Sequence, residues 1–180
     1  MRILFLIILL FVSALPSRSQ SRRAVDISTD VFMFVPGAAG AVVSLAKGDY
    51  KGILQLAETG VTAVATNFAL KKVVHKRRPD GSDFNSFPSN HSMVAFAGAA
   101  YLQRRHGWGY GVPAYAVATY VAWGRVYARK HDFWDVLAGA AIGAGCAYIY
   151  TTPYSAKHNI TVAPALTPDG GPALYFSFTM

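Results

Sequence analysis

Three short polar stretches in an otherwise apolar chain hold the residues able to do chemistry. The first is Lys71-Lys72-Val73-Val74-His75-Lys76-Arg77-Arg78-Pro79. On a helix Lys71 and Arg78 share one face, two turns and about 10.5 Å apart, and their long side chains can converge on one phosphate. The same run also fits a solvated basic face or a juxtamembrane anchor. It carries no interleaved aromatic residue for stacking nucleic-acid bases, so nucleic acid is not an expected partner. The second stretch, Phe87-Pro88-Ser89-Asn90-His91-Ser92, directly precedes an apolar segment. Ser89 suits a helix N-cap, which places the Asn90 and His91 backbone N–H groups at a positive helix start, a natural anion site. The third runs from Gly124 to Asp135 and contains Arg125, His131 and Asp135. His131 and Asp135 are helical neighbours. A carboxylate beside an imidazole fixes its tautomer and leaves the other ring nitrogen as a nucleophile.

Each stretch alone has an ordinary structural explanation; their conjunction in this order does not. Lys71-x6-Arg78-Pro79, then Pro88-Ser89-Asn90-His91, then Arg125-x5-His131-x3-Asp135 resembles the three-part signature of the type 2 phosphatidic acid phosphatase family, whose site is shared with vanadium-dependent haloperoxidases. The resemblance covers about Lys71 to Asp135. It implies that Lys71, Arg78 and Arg125 hold phosphate oxygens, helped by Ser89 and the backbone at Asn90. It implies that His131 attacks phosphorus, that Asp135 orients His131, and that His91 protonates the leaving oxygen and then activates water. Fixed cations and N–H donors suit the three charged equatorial oxygens of a phosphoryl transition state. No metal or other cofactor is expected, and metal spacings such as C-x2-C or H-E-x-x-H do not occur. The sequence departs from the signature twice. Asn90 stands where the family usually has Gly, and Asn tolerates left-handed backbone better than most residues. Gly124 stands where Ser is usual and supplies no hydroxyl. Neither change removes a charge or a histidine.

The elements that must position these groups are apolar helices. Helices are expected at 30–46, 51–78, 90–105, 109–124 and 132–151, with a polar loop at 79–88 and a short turn at 104–109. The chain runs out along 92–103 and returns along 110–123, which brings the second and third stretches to one end of the bundle. Gly139-x-x-x-Gly143 offers bare backbone for close helix packing. After residue 155 the pattern changes to period two around Thr167-Pro168-Asp169-Gly170-Gly171-Pro172, as in a β-hairpin. The expected fold is therefore all-α, an antiparallel bundle of about five core helices spanning a membrane, with a short C-terminal β-hairpin. The expected division is 1–20 export signal or N-terminal anchor, 21–155 helical phosphatase domain, and 156–180 hairpin tail.

Composition bounds this reading. Of 180 residues 53% are hydrophobic and only 14% charged, against about 25% in soluble domains, which excludes disorder. Sixteen Gly without a three-residue period exclude collagen, and one cysteine, Cys146, excludes an internal disulfide scaffold. The formal charge of +8 suits a phosphate-bearing partner. Met1-Arg2 followed by apolar Ile3 to Leu15 has the form of an export signal and is short for a spanning helix. Two features favour a soluble bundle instead: apolar stretches nearer 15 than 20 residues, and Glu58 inside the second one.

The expected activity is hydrolysis of a phosphate or diphosphate monoester of a membrane lipid: a prenyl diphosphate, phosphatidate, phosphatidylglycerol phosphate or lipid A phosphate. The site would face the periplasm or exterior. The alternatives are a soluble exported acid phosphatase on small esters, a haloperoxidase, and a non-enzymatic basic membrane protein. Lys72, Lys76 and Arg77 are expected to matter less than Lys71 and Arg78.

Overall fold

The computed structural model describes residues 22–154, and the backbone of 159–166 and 172–179. The expected export signal or anchor at 1–20 lies outside the described residues. Six α-helical segments follow: α1 (Arg22–Phe32), α2 (Val35–Ala46), α3 (Tyr50–Val73), α4 (Asn90–His106), α5 (Trp108–Tyr127) and α6 (Phe133–Tyr150). A turn at Met33–Phe34 separates α1 from α2, and Pro36, which has no N–H to donate, sits at the start of α2. With α1 and α2 as one bent rod, the described residues form the five helices the periodicity predicts. The first begins at Arg22 rather than near residue 30. Strands β1 (Asn159–Leu166) and β2 (Pro172–Thr179) pair antiparallel, from Asn159↔Thr179 to Leu166↔Pro172.

α4 is the hub and packs against α2, α3, α5 and α6. Its centre, Ala95 through Leu102, is built largely of small residues, with Tyr101 fully buried. Small side chains let helices approach, and at the α4–α6 contact the approach is backbone to backbone. A Cβ on Gly139 would lie 2.3 Å from the Ser89 carbonyl oxygen, and one on Gly143 would lie 2.1 Å from that of Met93. The Gly139-x-x-x-Gly143 face thus does the packing its spacing predicts.

The bundle is apolar outside and partly polar inside. The buried face of α3 is Gly52, Gln55, Thr59, Ala63 and Asn67, while Leu54, Val61, Val64 and Phe68 are exposed. Water would drive the opposite arrangement, whereas lipid forces polar groups to be satisfied within the protein. Inside, Thr59 Oγ1 donates to the Gln55 carbonyl at 2.7 Å, and Gln55 Nε2 donates to Thr152 Oγ1 at 3.1 Å. Helix lengths agree with a membrane: α3 has 24 residues, α5 20 and α6 18, longer than the stretches near 15 that the sequence suggests. Arg22–Ala46 and Phe133–Tyr150 are long and apolar enough to cross. Glu58 lies exposed on the outer face of α3.

The second expected helix, 51–78, ends at Val73 instead. Two β-branched residues close it, with Val74 extended at φ −102° and ψ 97°. Pro79 also disfavours helix at Arg78. The chain then bonds to its own loop: Ser86 N–H donates to the Lys76 carbonyl at 3.0 Å, and Arg78 N–H to the Asp83 carbonyl at 2.9 Å. Lys71 and Arg78 therefore do not share a helix face.

The α4–α6 approach gives a paired expectation. Gly143→Ala must push backbone from backbone and lowers the thermal midpoint in detergent by several degrees or more. Gly145→Ala, with nothing within 4 Å, leaves it unchanged or raises it slightly through better helix propensity. Circular dichroism melts of the two variants check this; equal midpoints would contradict the packing.

Candidate active site

Each sequence-predicted group lies at or near a helix terminus at the same end of the bundle. Lys71 is in the last turn of α3, Arg78 in the following loop, and Ser89, Asn90 and His91 at the start of α4. Arg125 is in the last turn of α5, and His131 and Asp135 flank the start of α6. A cavity of about 530 Å³ opens there. Its walls include Lys71, Arg78, Asn90, His91 and His131, joined by Phe68, Lys72, His75 and Asn85. Three expected residues stand behind the wall. Ser89 is fully buried as the α4 N-cap, its hydroxyl oxygen accepting from Ser92 Oγ at 3.2 Å and more distantly from Ser92 N–H at 3.5 Å. Asp135 is buried beneath His131, and Arg125 is only 3% exposed.

His131 is held by a group the sequence did not single out. Its Nδ1 lies 2.7 Å from the Ser86 carbonyl oxygen, against 3.7 Å from Asp135 Oδ2. A carbonyl only accepts, so Nδ1 carries the proton and Nε2 keeps its lone pair. Burial, then the nearby positive charges of Arg78 and Arg125, hold the imidazole well below its usual pKa. It is thus an uncharged nitrogen base in a cationic setting, the form a nucleophile needs.

Asp135 acts one step further out than the i, i+4 spacing suggests. It accepts from the Ser86 hydroxyl, from Lys76 Nζ at 2.8 Å and from the Asp132 N–H at 3.1 Å. Asp132 Oδ1 accepts from the Asp135 N–H at 3.1 Å, completing a capping box at the start of α6. Asp135 therefore fixes Ser86, and the Ser86 carbonyl fixes His131. Lys76, expected with Lys72 and Arg77 to matter less than Lys71 and Arg78, also reaches Asp132 at 2.5 Å and so ties the loop to the start of α6. Burial lowers the affinity of Lys76 for its proton, but Asp132 and Asp135 more than offset this and hold its pKa above the usual value.

The loop carrying Arg78 is tied down on several sides. Arg78 Nε is 2.9 Å from Asp83 Oδ1, Lys71 Nζ donates to the Asn85 carbonyl at 2.6 Å, and Lys130 pairs with Asp80 at 2.8 Å. Asn67 on α3 reaches toward the Pro88 carbonyl at 3.5 Å.

Both departures from the signature have a local explanation. Asn90 is the first residue of α4 and needs no left-handed backbone; among the described non-glycine residues only Arg129 has positive φ, at 59°. Gly124 is where α1 packs: a Cβ there would lie 2.5 Å from Thr29 Cγ2 and 3.1 Å from Val25 Cγ1. The Thr29 hydroxyl in turn lies 3.1 Å from Arg125 Nη1. The sequence reading missed this helix face because the first helix was expected to begin near residue 30.

The chain is similar to proteins of named activity. The PAP2 superfamily model matches residues 52–158. The chain is 32% identical over 167 residues to a lipid A 4'-phosphatase of Helicobacter pylori, covering 86% of this chain and 84% of that one. Among solved structures, LpxE of Aquifex aeolicus superposes with a TM-score of 0.61 at 20% identity, over 73% of this chain and 87% of that one. A transmembrane PAP2-type phosphatidylglycerolphosphate phosphatase from Bacillus subtilis gives 0.58 at 23% identity, over 82% and 92%.

Two measurements test the site's architecture. In 15N-histidine spectra of the detergent-solubilised protein, His131 shows a protonated Nδ1 and an unprotonated Nε2 at pH 6 and does not titrate near 6.5. A titration there would contradict the buried neutral form. Its depressed pKa also makes its stability contribution full above about pH 6.5 and lost as pH falls, because the unfolded chain takes up the proton first. Lys76→Met lowers turnover by about tenfold or more, while exposed Arg77→Met changes it less than about threefold, since only the first leaves a buried carboxylate short of a partner.

Proposed function

This chain belongs to the PAP2 superfamily and is a membrane lipid phosphatase, and from that premise we propose that it removes a phosphate monoester from a glycolipid of the lipid A type, through a phosphohistidine on His131. The observation that carries the mechanism is the Nδ1–Ser86 carbonyl bond, which leaves His131 Nε2 unprotonated at a cavity that Lys71 and Arg78 also line. What favours lipid A among phosphorylated lipids is the near full-length likeness to the lipid A 4'-phosphatase. Among the described residues no group of three or more His, Cys, Asp or Glu is placed to hold a metal ion.

In the first step His131 Nε2 bonds to phosphorus as the ester P–O bond breaks, and His91 gives its proton to the departing alkoxide. In the second, His91 takes a proton from water, the resulting hydroxide attacks phosphorus, and the N–P bond breaks to free inorganic phosphate. Lys71, Arg78 and Arg125 stabilise charge on the equatorial oxygens, with the Asn90 N–H at the positive start of α4. Placing the site at a bundle end lets the phosphate enter while the acyl chains stay in lipid. The export-like run Ile3 to Leu15 favours the periplasmic or outer face for that end. A soluble acid phosphatase would use the same groups, but the apolar outer surface of α3 speaks against it.

The test is phosphate release by detergent-purified protein from lipid A, phosphatidate, phosphatidylglycerol phosphate, a prenyl diphosphate and 4-nitrophenyl phosphate. Lipid A is expected to be the best substrate. His131→Ala lowers the rate by about a thousandfold or more. Rapid quenching with 32P-labelled substrate traps an acid-labile, alkali-stable phosphoprotein in the wild type and none in His131→Ala. Retained turnover in that variant would contradict the nucleophile assigned.

A further inference from the structure

Asp30 on α1 lies outside all three motifs, yet it touches two of their residues. Its Oδ1 is 2.7 Å from His91 Nε2 and 3.1 Å from Arg125 Nη1. One turn earlier on the same helix face, Asp26 Oδ1 is 2.6 Å from the same Nη1. Such carboxylates could either compete with a substrate phosphate or hold the cations that bind it. The guanidinium decides between these. Asp26, Thr29 and Asp30 all use Nη1, while Arg125 Nε is buried without a partner. α1 therefore anchors one nitrogen of Arg125 and leaves another donor unspent. His91 follows the same logic: Nε2 is engaged with Asp30, which leaves Nδ1 for a ligand in the cavity that His91 lines.

The contact is built into the packing. Gly124, directly before Arg125, has no side chain where Thr29 and Val25 press against α5, and any Cβ there would collide with Thr29. The sequence has thus given up a motif hydroxyl at the position that admits the helix carrying Asp26, Thr29 and Asp30.

We infer that Asp30 is the positioning residue of the general acid: it couples His91 to Arg125, so that the proton donor and a phosphate-holding cation keep one geometry, and His91 delivers its proton from Nδ1. Burial and the nearby charge of Arg125 lower the affinity of His91 for its proton; the Asp30 carboxylate on one ring nitrogen opposes both and fixes the ring plane. A general acid contributes most where the leaving group is a poor one. The inference rests on the phosphatase reading above.

The experiment compares kcat/KM, which reports only the steps through phosphohistidine formation, for lipid A and for 4-nitrophenyl phosphate. The first expels an alkoxide that needs a proton; the second expels a phenolate that does not. Asp30→Asn is expected to lose about 10- to 100-fold on lipid A, at least tenfold more than on the aryl ester, with Asp30→Glu recovering part of the loss. His91→Ala should show the same selective pattern. Inorganic phosphate, measured by calorimetry, should bind Asp30→Asn no more tightly than wild type. Equal losses on both esters would make Asp30 a structural residue only. Faster turnover or phosphate binding tightened about tenfold would make it a competing anion, and either result overturns the inference. Wild-type protein that releases phosphate from neither ester fails the phosphatase reading itself, which separates the two failures.

Discussion

A carboxylate with no exposure at all must find its partners within the protein, and Asp135 is that carboxylate. Its partners come from two places: Lys76 and Ser86 from the loop between α3 and α4, and the Asp132 N–H from the start of α6. Its backbone carbonyl also accepts from the Ser89 N–H at 2.9 Å, at the start of α4. Removing any one partner leaves a buried negative charge under-compensated, which proteins tolerate poorly. The loop is therefore fixed against α4 and α6 together, and His131, bonded to Ser86, inherits that rigidity. Rigid support of this kind matters wherever groups must meet a ligand at fixed points, since misplacement by about 1 Å can cost a reaction a hundredfold.

This polar construction sits on a scaffold whose solvent is not water. α3 turns Gln55, Thr59 and Asn67 inward and Leu54, Val61 and Phe68 outward. In lipid the apolar face has nothing to gain from burial, so helices associate through close packing and internal polar contacts. Gly139 and Gly143 provide the packing between α4 and α6. A second polar cluster closes the opposite end. Arg105 Nε is 2.7 Å from Asp49 Oδ2, and its Nη1 donates to the Thr152 carbonyl at 2.7 Å, joining the start of α3 to the ends of α4 and α6. One end is thus locked by a charge pair, while at the other Lys71, Arg78, His91 and His131 line an open cavity.

The sequence shows the candidate reacting groups more clearly than the groups that hold them. Lys71, Arg78, His91 and His131 are readable because charge and imidazole are rare in an apolar chain, and the structure brings all four to one cavity. Asp135 is readable too, but its route to His131 is not, because i, i+4 spacing implies a direct bond and a main-chain carbonyl intervenes. Ser86 contributes that carbonyl, and no side-chain pattern announces a carbonyl. Lys76 looks like one more cation in a basic run until the loop folds back on itself and turns it toward Asp132 and Asp135. The helix end at Val73 was obscured by the same basic run, whose spacing suits a helix as well as a loop.

Gly124 shows why the supporting groups are harder to read than the reacting ones. A phosphate needs charge at fixed points, and the chemistry limits those points to a few residue types, so the reacting groups recur at regular spacing. What steadies them needs only a donor or acceptor in the right place, and any neighbouring helix can provide it. Here the space a side chain would take at Gly124 is filled by Thr29, whose hydroxyl lies beside Arg125, on a helix that approaches closely because Gly124 has no side chain. The missing hydroxyl and the close helix are thus one geometric event: a side chain at 124 would displace the helix that carries Thr29. Departure from a motif at such a position goes with a different support, and α1 joins the cavity end of the bundle through Asp26, Thr29 and Asp30 on Arg125.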